Sequence, residues 1–162
     1  MKKITYPIFS FILLIFINGC AGYEPIFSST NLQFEIADYS IEGNKILGNK
    51  IYSRLYSLSK SEKDDLNLRS IELAIKVSKN KNATAKNSAG TVLTYKINLS
   101  TAITVKDFIT DNQILSESFV LSSSYKVQDQ HSETLKLENR SIENLINKTY
   151  QDILIKLSEN IL

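Results

Sequence analysis

The sequence has few of the residues from which most active sites are built. Its 162 residues include one cysteine, one histidine and no tryptophan. A zinc site of the usual nitrogen and sulfur type needs several such ligands, and Cys20 and His131 cannot supply them alone. The Gly-x-Ser-x-Gly turn that carries the nucleophile of many hydrolases is also absent. We therefore expect no enzymatic activity, no metal and no cofactor, and we expect His131 to be a solvated residue that opens the final helix.

The N-terminus combines two lysines, a short apolar run and the lone cysteine. The run covers residues 4–17, which is 14 residues, whereas a membrane-spanning helix needs about 20. This pattern is typical of a secretory signal peptide. The run ends in INGC, residues 17–20, which resembles the lipobox of bacterial lipoproteins, although Asn18 is a less common residue at its position.

That resemblance implies cleavage before Cys20, followed by attachment of a diacylglycerol and an N-acyl chain to it. One acyl chain anchors a protein only marginally, but two or more hold it stably. By the same resemblance, Ala21 in place of an aspartate after the cysteine favours delivery to the outer membrane. The alternative is an ordinary signal peptide followed by a buried or free cysteine, which would be a reactive liability in an oxidising compartment.

We divide the chain into a signal peptide (1–19), a lipidated tether (20–31) and a single domain (32–162). The tether contains glycine, proline and a Ser-Ser-Thr cluster, which interrupt any regular period. Removing the signal peptide leaves 162 − 19 = 143 residues, the size of one ordinary domain. It also removes two lysines, so 19 − 2 = 17 basic residues balance 17 acidic ones. This neutral balance argues against nucleic-acid binding, which favours a strongly basic surface.

The domain alternates between the two-residue period of strands and the longer period of helices. LQFEIADY predicts a short strand, and NKILGNKIYSRLYSL predicts a helix that starts at Gly43-Asn44. SIELAIKVS, TVLTYKINLSTAITVKD and LSESFVLSSSYKVQD predict three more strands, each with one apolar and one polar face. The last segment carries a wide apolar stripe on a long helix: Ile142, Leu145, Ile146, Tyr150, Ile153, Leu154, Leu157 and Ile161.

This order, β-α-β-β-β-α, predicts an α+β domain of two layers. We expect a four-stranded, mostly antiparallel sheet with both helices on its apolar face. The apolar face of the strands includes Ile71, Leu73, Ile75 and Val77, then Leu93, Tyr95, Ile97, Leu99, Ile103 and Val105, then Phe119, Leu121, Tyr125 and Val127.

Taken together, these segments resemble the LptE family of lipopolysaccharide (LPS) assembly lipoproteins, in its α-proteobacterial form. The resemblance rests on CAGYEPIFS at the lipobox, on KNATAKNSAGTVLTYKINLSTAITV, and on SSSYKVQDQ running into a long C-terminal helix. Two departures are the extra Ala21 and the scarcity of alanine in the final helix.

The resemblance implies an outer-membrane lipoprotein anchored in the inner leaflet, with its body facing the periplasm or inside a partner barrel. The implied partner is the LptD β-barrel, and the implied role is that of a plug or assembly subunit that helps insert LPS into the outer leaflet. The alternative is an accessory lipoprotein of a lipid-transport ABC system, or another periplasmic ligand-binding lipoprotein.

Two surfaces are candidates for these contacts. The segment Ser78–Gly90, expected to be a loop, carries Lys79, Lys81 and Lys86 and no acid, and an ammonium group suits the phosphates of LPS. By resemblance, Lys86 is the best positional match for an LPS-contacting residue and Lys136, near the start of the final helix, a looser one. The alternative is a polar hairpin tip whose lysines only keep it soluble.

The second candidate is the polar face of the sheet, which carries few charges. Small hydroxyl and amide groups can bond a partner without the desolvation cost of many charges, and the lumen of an outer-membrane barrel is itself polar. We expect this face to contact the partner, with Asn98, Ser100 and Ser122 as positions for crosslinkers. The alternative is that such strands are simply solvated. The face comprises Ser70, Ala74, Ser78, Thr94, Asn98, Ser100, Thr104, Ser116, Ser118, Ser122 and Ser124, with Glu72, Lys76, Lys96 and Lys106 interspersed.

Overall fold

Four strands and two helices form the part of the chain that the computed structural model describes, residues 34–59 and 68–161. The predicted signal peptide, the tether with Cys20, and Leu32 lie outside these residues. The elements are β1 (Phe34–Gly43), α1 (Lys45–Ser59), β2 (Arg69–Lys86), β3 (Val92–Asp107), β4 (Gln113–Lys126) and α2 (His131–Ile161).

The strands form one sheet in the order β1-β2-β3-β4. The pairs β2–β3 and β3–β4 are antiparallel, whereas β1 and β2 are parallel. The α+β class and the order β-α-β-β-β-α are thereby confirmed, but the sheet is mixed rather than mostly antiparallel. The reason is the connection through α1. A crossover helix returns the chain to the end of the sheet at which β1 begins, so β2 runs in the same direction as β1.

The packing at the β1–α1 junction explains why positions 43 and 48 are glycine. Gly43 has φ of 74°, and a Cβ there would lie 2.2 Å from the carbonyl oxygen of Val77. Asn44 then caps the helix, since its Oδ1 accepts the backbone N–H of Leu47 at 3.1 Å. A Cβ on Gly48 would lie 2.4 Å from Cγ2 of Ile41, so this glycine lets α1 pack closely on β1. The predicted helix start at Gly43-Asn44 is confirmed.

The hydrophobic core lies between the helices and one face of the sheet. The alternation predicted for β2 is confirmed, since Ile71, Leu73, Ile75 and Val77 are all buried. Leu93 and Val127 were expected to face inward as well, but they are 46% and 36% exposed. They lie beyond the Tyr95–Tyr125 pair, next to the last residue pair of β3 and β4, Thr94 and Lys126. The remaining buried apolar residues are Phe34, Ile36, Leu47, Ile51, Leu55, Ile97, Leu99, Ile103, Val105, Leu115, Tyr125, Leu145, Ile146, Ile153, Leu154 and Leu157.

Candidate interaction surfaces

The polar face of the sheet is open, because both helices pack on the opposite face. Its side chains align in rows across the three antiparallel strands. Asn80, Asn98 and Ser122 form one row, since Asn98 pairs with both of the others in register. Ser100 lies in the next row, opposite Ser78. The three positions chosen from the sequence, Asn98, Ser100 and Ser122, therefore lie together, the first two half-buried and the third exposed.

Besides Ala74, the apolar side chains of Val120 and Ala102 interrupt this polar face, and the sequence interpretation omitted both. Val120 pairs with Ser100 and is 71% exposed. Ala102 pairs with Lys76. Both belong to the same alternating series as their polar neighbours, so the period of the strands was the signal that could have identified them. An exposed valine on an otherwise polar face offers a partner one apolar contact among hydrogen-bonding groups.

A shallow depression of about 220 Å³ lies on the open face beside β1. The surface is lower here than around it because the side chains of Ala74 and Ala102 are only methyl groups. Its rim includes Glu42 and Lys76, whose charged groups pair at 3.2 Å while both side chains stay well exposed. The other residues around it are Ser40, Ile75 and Thr104.

The segment predicted as a lysine-bearing loop is mostly strand. β2 continues to Lys86, and β3 begins at Val92, so only residues 87–91 connect them. The expectation of a loop over Ser78–Gly90 is therefore wrong. The backbone of β3 pairs with this segment as far as Lys86, which supports a strand although its side chains are polar. Two shifts of register, at Ala83 and Ala85, accompany the end of the pairing.

Lys81 lies in a cluster that joins the hairpin to β4 and α2. Its Nζ is 2.5 Å from Oε2 of Glu138 and 4.4 Å from the ring centre of Tyr95. The hydroxyl of Tyr125 donates to the same carboxylate oxygen at 2.8 Å, and the Tyr95 and Tyr125 rings lie 5.8 Å apart. Lys81 thus balances the charge of a mostly buried carboxylate.

The electrostatics of this cluster follow from those contacts. The hydrogen bond to Glu138, and then that to Tyr125, raises the pKa of Lys81. Burial alone would raise the pKa of Glu138, but the hydrogen bonds from Lys81 and Tyr125 outweigh it, so this pKa lies below its ordinary value. Burial also raises the pKa of Tyr125. Both charged groups therefore stay ionised around neutral pH.

The remaining predicted lysines have different surroundings. Lys136 is exposed and pairs with Glu133, one turn away on α2, at 2.7 Å. Lys79 is half-buried and Lys86 is exposed, and neither makes an ion pair within residues 34–59 and 68–161. The structure thus separates Lys81, which has an internal partner, from Lys79 and Lys86. The sequence interpretation missed Glu138, Tyr95 and Tyr125, yet the alternation of β2 places Lys79 and Lys81 on the same side as Ile71–Val77, where the helices pack.

Other kinds of site are not evident in the described residues. No three His, Cys, Asp or Glu side chains of residues 34–59 and 68–161 come together in a group that could hold a metal ion. His131 is the exposed first residue of α2, as expected. Among the helices described, neither is both long and apolar enough to cross a membrane.

Comparison with known proteins identifies the fold. No protein-family model and no curated protein matches the chain. Among solved structures, it is similar to rare lipoprotein B from Shewanella oneidensis, with 14% identity, a TM-score of 0.54, and coverage of 75% of this chain and 94% of that one. It is also similar to uncharacterized lipoprotein B from Nitrosomonas europaea, with 13% identity, a TM-score of 0.56, and coverage of 76% and 81%. The described domain thus has the fold of solved lipoproteins.

Proposed function

We propose that this chain is an outer-membrane lipoprotein of the LptE type, acylated at Cys20, which forms a complex with an LptD β-barrel and helps insert LPS into the outer leaflet. The observation that carries the proposal is the open polar face of the sheet, in a domain that shares its fold with solved lipoproteins. In the proposed complex the tether keeps the acyl chains in the inner leaflet, while the body enters the barrel from the periplasm. We propose no catalytic reaction.

The chemistry of the open face supports a polar partner. Around Asn98 it presents amide and hydroxyl groups from three strands, all of which can both donate and accept hydrogen bonds. Burying such groups costs little when each finds a partner, whereas burying unpaired charges costs much more. The lumen of an outer-membrane barrel offers polar partners of this kind.

The β2–β3 hairpin supports the proposed contact with LPS, but through fewer of its lysines than the sequence indicated. Lys81 already has a carboxylate partner, so an additional anion would have to compete with Glu138. Neither Lys79 nor Lys86 forms an ion pair among the described residues, although the charge of Lys79 also acts on Glu138. We therefore assign the proposed phosphate contacts to Lys79 and Lys86. Lys136, which pairs with the exposed Glu133, is a secondary contributor.

Photocrosslinking in living cells tests the proposed complex. A photoreactive residue is placed separately at Asn98, Ser100 and Ser122, and at Ser53 as a control, since Ser53 is an exposed serine on α1. We expect a large outer-membrane barrel in the adducts from the sheet and much less from Ser53. Adducts with inner-membrane transporter subunits would instead support the alternative of an ABC-system lipoprotein. Adducts from Ser53 alone, or none at all, would contradict the assignment of this face.

A further inference from the structure

The turn between β3 and β4 lies at the end of the domain where the chain from the predicted anchor enters. Phe34, the first described residue, pairs with Arg69 at the start of β2. The guanidinium of Arg69 in turn lies 2.9 Å from the carboxylate of Asp107, which begins the turn. The opposite end of β1 is a whole strand of ten residues away, about 30 Å at the usual rise.

Two adjacent apolar side chains project from this turn. Phe108 is 53% exposed and Ile109 is 84% exposed. Isolated exposed apolar residues are common and need no explanation. Here, however, two large ones occupy neighbouring positions in a connection of five residues, 108–112, between two strands, where polar turn residues would ordinarily serve.

Hydrogen bonds hold the backbone of the turn, so the positions from which these two side chains project are fixed. Oδ1 of Asp107 accepts the backbone N–H groups of Ile109 and Thr110 at 3.1 and 3.0 Å. The N–H of Phe108 donates to the carbonyl of Ser70 at 3.0 Å, and that of Asp107 to the carbonyl of Asn112 at 2.8 Å. A turn with its backbone tied in this way loses little entropy when it docks on another surface.

The charges next to the apolar pair are mutually neutralised. Asp107 pairs with Arg69 at 2.9 Å, and Lys106 pairs with Asp111 at 2.8 Å. Paired charges cost less to bring toward a medium of low dielectric constant than isolated ones. The base of the turn therefore opposes contact with an apolar phase less than isolated charges would.

We propose that Phe108 and Ile109 enter the interfacial layer of the lipid bilayer to which Cys20 anchors the protein, as a second, non-covalent contact. This inference rests on the proposed acylation of Cys20. The position of the turn selects lipid as the occupant, because residues 21–33, a stretch of 33 − 20 = 13 residues, link the anchor to the end of the body that bears the turn. At most about 3.5 Å per residue, they allow that end to lie anywhere from the membrane surface to about 45 Å from it. At the near limit of that range, an apolar pair on that end can reach the acyl boundary, which interfacial segments enter by about 5–10 Å.

The absence of tryptophan from the chain provides a direct test. Phe108→Trp places the only tryptophan in the turn, and Ile46→Trp places it at the other end of β1, at a position that is 74% exposed. Each full-length protein is purified in its acylated form and reconstituted into vesicles of phosphatidylethanolamine and phosphatidylglycerol with brominated acyl chains. We expect the bromines to quench the tryptophan at position 108 at least twofold more than the one at position 46. Adding Ile109→Asp to Phe108→Trp should reduce that quenching to the level of the Ile46→Trp control.

Equal quenching at the two positions, in a protein shown by intact mass to be acylated, would overturn the membrane contact and leave the anchor standing. A mature protein without acyl chains would overturn the proposed anchor, and the membrane contact with it, so the mass distinguishes the two failures. A photocrosslinker at position 109 that yields a protein adduct and no lipid adduct in cells would overturn the assignment of the turn to lipid. Thermal unfolding of each variant confirms that the domain is folded in every arm.

Discussion

The Nζ of Lys81 lies 2.5 Å from a carboxylate oxygen of Glu138, although the two residues are 57 positions apart in the chain. The pair ties the long β2–β3 hairpin to α2, and the tyrosine rings on β3 and β4 cover it. Lys81, which the sequence analysis predicted to bind phosphate, therefore stabilises the fold.

Replacing Lys81 should therefore reduce stability. Lys81→Met keeps much of the contact with the tyrosine rings but leaves the mostly buried carboxylate of Glu138 without its charge partner. A hydrogen bond to a charged group contributes about 1.5–3 kcal/mol, and because the lysine is about a third exposed we discount this for solvent screening to about 1–2 kcal/mol. Urea unfolding at neutral pH measures the loss. Lys86→Met, at an exposed position, should change stability by less than about 0.5 kcal/mol; equal stability of the two variants would contradict the role of Lys81.

The double variant Lys79→Glu/Lys86→Glu should weaken LPS binding. Both lysines lack an ion-pair partner in the described part of the chain, so reversing their charge converts attraction for phosphate into repulsion. We expect a loss of about tenfold or more at low salt, and a smaller loss at high salt because screening shortens the reach of exposed charges. Lys45→Glu/Lys148→Glu, at exposed positions of α1 and α2, is the control matched for net charge. Unchanged binding by the double variant at low salt would remove the hairpin from the proposed LPS contact.

Asp107 should make stability depend on acid pH. Hydrogen bonds from the backbone of Thr110 and from Arg69 hold its pKa at about 2, below the ordinary 3.8. A carboxyl group with a lowered pKa in the folded state stabilises the fold above its unfolded pKa, and this contribution is lost as pH falls through the folded value. Asp107→Asn should therefore be less stable than the wild type at pH 7, with a difference that shrinks between about pH 4 and pH 2.

Urea midpoints measured across that range check the prediction. Asp129→Asn is the control, since the carboxylate of Asp129 makes no hydrogen bond or ion pair within residues 34–59 and 68–161. A difference between wild type and Asp107→Asn that stays constant from pH 7 to pH 2 would show that the carboxylate does not titrate as described.

Thr101→Val should stabilise the domain. Thr101 is fully buried at the centre of β3, and its hydroxyl has no hydrogen-bond partner among residues 34–59 and 68–161. An unpaired buried hydroxyl costs about 1–3 kcal/mol, and valine has nearly the same shape without that cost, so we expect a gain of about 1 kcal/mol. Thr104→Val, on the open face, should leave stability nearly unchanged. A loss of stability in Thr101→Val would mean that the hydroxyl has a partner in solution.

Acylation of Cys20 should be required for membrane attachment. Cells that express the wild type and Cys20→Ala are labelled with a palmitate analogue, and the envelope fractions are separated. We expect label in the wild type, none in Cys20→Ala, and loss of the variant from the outer membrane. A wild-type mature protein that takes up no label and begins at another residue would refute the lipoprotein assignment.

The kinds of elements and most of their buried faces follow from the spacing of apolar residues alone. Strict alternation in Ile71–Val77 has only one physical solution, a strand with one covered face, because successive side chains of a strand point to opposite sides. The spacing of the apolar residues in α2 likewise requires a helix buried along one stripe. The start of α1 was readable because Gly43 and Asn44 act locally, one through its backbone conformation and the other through its side-chain cap.

How those elements meet depends on long-range contacts that form only in the folded chain. The parallel pairing of β1 with β2 depends on where α1 returns the chain, and the polar half of β2 is a strand because β3 pairs with its backbone. Glu138 meets Lys81, and the N–H of Phe108 meets the carbonyl of Ser70, only after the sheet and α2 have assembled. Such contacts link residues far apart in the chain, and periodicity carries no information about them because it reports only the face on which a residue lies, not what lies opposite.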